Sequence, residues 1–226
     1  MPMNSLTKVA LLALLAGQTM AAGRSVHIQI TGESIPSACK PKIGGGATFD
    51  YGTLKAARLS ANTFTLLEKK SLTFAIACAA PAKVQFRVND VRKNSLAVPD
   101  NPRSAPFAIA SASEGKFFGL GMAGGSKTGV YAMRLEEVNI DGQIPPGLTG
   151  LVSTDGGTVW ATDSAVWLYS DGAKVSSIGQ GSVVPAAFTT LTARLTVQAA
   201  INKTAELELN RAIGLDGLSA LQIVYL

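Results

Sequence analysis

From residue 26 onward, apolar side chains recur at every second position in run after run, a period that suits a half-buried strand and not an amphipathic helix. The runs are VHIQI at 26–30, ATFDYGTL at 47–54, SLTFAIA at 71–77 and KVQFRV at 83–88. GVYAMRL at 129–135, TVWATDSAVWL at 158–168, LTARLTVQAAI at 191–201, AELEL at 205–209 and LQIVYL at 221–226 follow. Val, Ile, Thr, Phe and Tyr dominate them, with Gly, Pro, Asn and Asp between. Asp-Gly pairs beginning at Asp141, Asp155, Asp171 and Asp216 supply residues that tolerate the positive φ of tight strand connections. Short strands, frequent turns and no fixed period of self-similarity predict an all-β sandwich rather than a propeller or solenoid. The stretch 89–116 holds three prolines and several serines and reads as a long surface loop or insertion.

The first residues, MPMNSLTKVALLALLAGQTMAAG, place Lys8, an apolar run from Val9 to Ala16 and small residues in the order of a secretory leader. The run is too short to span a bilayer. Cleavage is expected after Ala21 or Ala22, dividing the chain into a leader at 1–21, an extension at 22–36 and a sandwich domain at 37–226. Loss of Lys8 takes the net charge from +5 to +4. A 47% hydrophobic, 15% charged composition excludes intrinsic disorder. In an exported chain the two cysteines, Cys39 and Cys78, are most simply one disulfide, two buried free thiols being the alternative. Closing a loop of that size contributes about 4 kcal/mol on the chain-entropy account.

Catalysis needs a nucleophile, a base and a group to orient them, or a cluster of metal ligands. The single histidine, His27, stands alone at an outward strand position. There is no nucleophile elbow, HExxH or P-loop. FFGLGMAGGSKTG at 117–129 ends like a phosphate loop but lacks its first-glycine spacing and a following helix, so it reads as a hairpin turn. The doublets Lys69-Lys70 and Glu136-Glu137 read as solvated strand ends. No enzyme activity, cofactor or metal site is expected. Scattered basic residues without an aromatic-basic platform point away from nucleic acid. Trp160, Trp167 and Tyr169 could form a sugar-stacking surface, although strand aromatics are more often core.

Val26, Ile28, Ile30 and Gly32 fall on one face of the first strand, Cys39 follows Gly32 by seven residues, SLTFAIAC ends on the second cysteine, and LQIVYL closes the chain with Tyr225 penultimate. With FDYGTL after the first cysteine, this order resembles the pilin subunits of chaperone-usher fimbriae, most closely over 25–78 and the last dozen residues. The chain departs from that pattern in length and in carrying Ile213 where such pilins often have a glycine fourteen residues from the C-terminus. The resemblance implies an immunoglobulin-like sandwich that lacks its last strand and is completed by donor-strand exchange. Val26, Ile28 and Ile30 would fill a neighbour's groove, and Gly32 would allow close backbone approach. Leu221, Ile223 and Tyr225 would form the groove-edge strand that a chaperone pairs with. The implied partners are a periplasmic chaperone, an outer-membrane usher and other pilin subunits, with space in 89–149 for a host-receptor site. The implied location is a fimbrium on the cell surface, reached through the periplasm. A secreted or tip-located sandwich binding module, lectin-like or an adhesin, is the competing reading.

Overall fold

The architecture follows from which of the alternating runs find partners. The structure, a computed structural model, describes residues 39–110, 115–210 and 212–226, all within one of the two units into which the chain divides, 36–226. The leader, His27 and the proposed donor residues Val26, Ile28, Ile30 and Gly32 lie outside the described residues. Fourteen strands occur among those described: β1 Cys39–Ile43, β2 Thr65–Leu66, β3 Lys70–Ala82, β4 Val84–Asp90, β5 Phe118–Gly119, β6 Met122–Ala123, β7 Ser126–Lys127, β8 Gly129–Ile140, β9 Leu148–Ser153, β10 Ala161–Asp163, β11 Val166–Trp167, β12 Val175–Gln180, β13 Phe188–Ile201 and β14 Ser219–Tyr225.

They build an all-β fold of two principal antiparallel sheets and one small hairpin. The larger sheet runs β1-β3-β13-β8-β11, with β2 also on β13 and β5 on β8; the smaller runs β10-β9-β12-β4-β14. The long strands β3, β8 and β13 carry the clearest period-two patterns. Their inward residues meet those of β4 and β12 in one core containing Phe74, Phe86, Met133, Ile178, Leu191 and Leu195. Phe74 and Phe86 pack edge to face with ring centres 6.0 Å apart, the arrangement favoured by the ring quadrupole. The Asp141-Gly142 pair makes the expected tight turn: both residues have positive φ, and Ile140 and Gln143 exchange backbone hydrogen bonds of 2.8 and 3.0 Å. The glycine-rich stretch before β8 likewise forms the β6–β7 hairpin.

Four expectations are corrected. Residues 47–54 are not a strand. A 3-10 turn at Gly45–Ala47 has positive φ throughout, and Asp50 accepts the Gly52 backbone N–H at 2.7 Å, so the chain turns twice where the alternation suggested straight extension. The run at 205–209 begins in a 3-10 turn at Thr204–Glu206, held by Asn202 donating to Glu206 at 3.1 Å. The run at 158–168 splits into β10 and β11, which belong to different sheets; Asp163 accepts the Ser164 backbone N–H at 2.7 Å where the chain changes layer.

The fourth correction concerns 89–116, which is not merely a surface loop. Three 3-10 turns, Lys93–Ser95, Pro102–Ser104 and Pro106–Ala108, lay this segment over the outer face of the larger sheet. There Ala105, Ile109 and Phe117 join Val130, Ala132, Trp167, Tyr169 and Ala200 in a second apolar cluster. Gln198 ties the cover to the sheet by accepting the Phe107 backbone N–H at 2.7 Å. Two strands escape the period-two pattern altogether. In β9 and β12 the buried positions include Gly150, Ser153, Ser176 and Ser177, small residues that let neighbouring backbone approach. A Cβ on Gly150 would lie 2.0 Å from the Ala165 carbonyl oxygen.

Because Trp167 supports the cover segment from below, Trp167→Ala is expected to lower stability by about 3–5 kcal/mol and to open 91–110 to proteolysis before the strands. Cleavage confined to sites outside 91–110 would contradict a packed cover.

Candidate functional site

The feature that stands apart from this packed sandwich is a hollow between two sheet edges. β14 pairs only with β4 among the described strands, from Ser219 opposite Asp90 to Tyr225 opposite Val84. β1 likewise pairs only with β3. The two edges differ chemically. β1 presents exposed Lys40, Pro41 and Lys42, the residue types that blunt an edge against further pairing. β14 reads SALQIVY and carries neither charge nor proline. The disulfide between Cys39 and Cys78 fastens the first residue of β1 across its ladder to β3.

After β1 the glycine turn sends Phe49 and Tyr51 toward the core opposite β14. Between them and β14 lies an apolar hollow of about 330 Å³, floored by Met133, Leu195 and Val197 and bordered by Leu221. No residue lining it is charged. Its polar groups are already engaged. Tyr131 and Ser219 share a hydroxyl hydrogen bond of 2.6 Å, and Tyr51 donates to the Val197 carbonyl at 3.5 Å. Burial pushes the Tyr51 phenol up to about 12 and raises Tyr131 as well, so both remain neutral hydrogen-bonding groups at ordinary pH. At one end the Tyr225 hydroxyl accepts the Cys39 backbone N–H, joining the edge strands of the two sheets. Such a surface offers apolar contact beside a row of backbone groups along β14.

The residues expected at the groove edge behave unequally. Leu221 lines the hollow, and Ile223 lies opposite Phe86 and packs against the core. Tyr225 is 41% exposed and acts through its hydroxyl at Cys39 rather than by filling the hollow. Phe49, Tyr51, Met133 and Leu195 were not legible as site residues, because each reads as an ordinary inward strand position. Only the separation of Phe49 and Tyr51 by one residue hinted that 49–51 presents a face.

The other chemistry-bearing groups are internal. Among the described residues no group of three or more His, Cys, Asp and Glu could hold a metal ion. Trp167 and Tyr169 are buried, and Lys116 covers both rings at 4.8 and 5.6 Å while pairing with Asp163 at 3.2 Å. These two aromatics therefore form no open stacking surface. Of the doublets read as solvated, Glu136 instead accepts from Arg134 at 2.7 Å and Thr196 at 2.7 Å on the sheet face. Burial opposes its ionisation, but these donors outweigh that effect and hold its carboxyl below the usual range.

A family model described as "Protein of unknown function (DUF1120)" matches residues 28–132, a span that includes both cysteines, β1 to β4 and the cover segment. Over nearly its whole length the chain is similar to two proteins of Escherichia coli strain K12. Protein GltF is 26% identical, with 99% of this chain and 98% of the relative covered. The uncharacterized protein YhcF is 24% identical, with 95% of each covered.

Tyr51, Tyr131 and Tyr169 are all raised from 10, chiefly by burial. Their unfolded forms lose protons first as pH climbs through 10, so their contribution to stability is intact below pH 10, declines as pH rises above it and is lost once pH passes the raised folded value, about 12 for Tyr51. Three of the four tyrosines are therefore expected to yield phenolate absorbance only together with alkaline unfolding. Reversible ionisation of all four near pH 10 with the fold intact would contradict the burial of these three rings.

Proposed function

We propose that this protein is a structural subunit of an exported fibre of the chaperone-usher kind, whose incomplete immunoglobulin-like sandwich is filled by the N-terminal strand of another copy. The observation that carries this reading is the juxtaposition of an uncharged strand, β14, paired on one side only among the described residues, with an uncharged apolar hollow. The other candidate edge, β1, is guarded by Lys40, Pro41 and Lys42. An open edge beside exposed core is a liability in solution unless something covers it. A strand that adds to such an edge gains main-chain hydrogen bonds from the ladder and specificity from alternate side chains in the hollow.

The donor on this reading is 25–35, with Val26, Ile28 and Ile30 facing the hollow and Gly32 at a point of close backbone approach. Burying three aliphatic side chains contributes roughly 5–9 kcal/mol, before the ladder is counted. A periplasmic chaperone would hold the same edge until an outer-membrane usher exchanges it for the next subunit's strand. The protein's activity is then assembly, with no catalytic step.

Ile28→Asp combined with Ile30→Asp is expected to leave the subunit folded when co-expressed with its chaperone and to abolish polymerisation. Fibres of normal length from that double variant would overturn the donor assignment.

A further inference from the structure

We infer that the two ends of the sandwich dock onto one another in successive copies, through an apolar end hollow around Trp160 on one copy and the Val91–Leu218 surface on the next. This contact adds to strand exchange, at the rim of the acceptor hollow that Leu218 also lines, and rests on the fibre reading above.

The end hollow has a volume of about 580 Å³ and is lined by Val159, Trp160, Val183, Val184 and Leu226, with Lys83 at its rim. Val159 is 68% exposed and Val184 51%, an unusual concentration of apolar surface on three separate chain segments. It is a built surface. The Trp160 indole N–H donates to the Gly157 carbonyl at 3.0 Å, and the Leu226 backbone N–H to Lys83 at 3.1 Å, which fixes the ring and the C-terminus against the β3–β4 turn.

Its place relative to the chain says what meets it. Tyr225, next to Leu226, binds the Cys39 backbone N–H, so Cys39, the first described residue, lies at this end. Six residues lie between Gly32 and Cys39, and the seven steps joining them span at most about 25 Å. A neighbour that holds Val26 to Gly32 in its own hollow is thereby kept close to the Trp160 end. Every strand ladder in the two large sheets is antiparallel. A donor added antiparallel to β14 emerges beside Ser219, about 20 Å from Tyr225 along the strand. At that end Val91 and Leu218 are each nearly half-exposed and are joined by a 3.0 Å backbone hydrogen bond. Open, repeated assembly requires two different surfaces that fit each other, and these two surfaces lie at opposite ends of the same strand.

The test is sedimentation of the full chain and of its Val184→Glu, Val91→Lys and doubly substituted variants over a range of concentrations. Each single change is expected to raise the concentration for association at least tenfold, and the double variant, with a Glu facing a Lys at every junction, to recover most of it. A parent that stays monomeric, a Val184→Glu chain that associates like the parent, or a double variant no better than the singles would overturn the contact. In parallel, the rise in unfolding temperature produced by a synthetic peptide of 22–36 is expected to be the same in all four chains. Loss of that rise in the parent would count against the strand-acceptor reading and leave the end contact to be judged by sedimentation.

Discussion

Backbone groups in a strand need partners on both sides, and among the described residues β14 finds them on one side only. Much of the proposed reading of this sandwich follows from that constraint. The C-terminal strand cannot be shielded by charge, since Leu221 and Ile223 are needed against Val88 and Phe86 and the remaining positions are small or neutral. The hollow beside it cannot close either. The glycine turn after β1 carries Phe49 and Tyr51 to the core but leaves them out of any ladder, so two side chains, and no backbone pairing, face β14.

The surrounding fold braces both ends of the hollow. The disulfide and the Tyr225–Cys39 hydrogen bond fix the edge strands β1 and β14 at one end. At the opposite end Asp90, buried at the end of β4, accepts the Gly119 backbone N–H at 2.7 Å and anchors the strand that partners β14. The cover segment over the outer face of the larger sheet lets β8 and β13 be packed on both faces, which stiffens the floor of the hollow. A partly buried charge pair joins Lys116 at the end of that cover to Asp163 of β10, where cation–ring contacts offset part of its desolvation.

The long strands were legible because their two faces differ: β3, β4, β8, β13 and β14 each alternate over an apolar core. β9 and β12 were not, because tight packing there selects Gly and Ser, whose pattern carries no hydrophobic period. The 47–54 run misled for the opposite reason, since alternation survives in Phe49 and Tyr51 although Gly45, Gly46 and Gly52 turn the backbone. The cover segment was hidden by its prolines, which mark irregular chain but say nothing of whether it is buried. Of the site, the cysteine pair and Leu221 could be read from spacing and terminal position. The floor residues could not, because a core residue beneath an open groove looks the same in sequence as one beneath a closed sheet.

The most direct measurement is amide hydrogen exchange across β14, residues 219–225, in the full chain with and without a peptide spanning 22–36. The account predicts that the β14 amides pointing away from β4 exchange readily alone and slow at least tenfold when the peptide adds a strand. Full protection of those amides without peptide, or exchange that the peptide leaves unchanged, would mean that the edge is already satisfied and that the sandwich accepts no further strand.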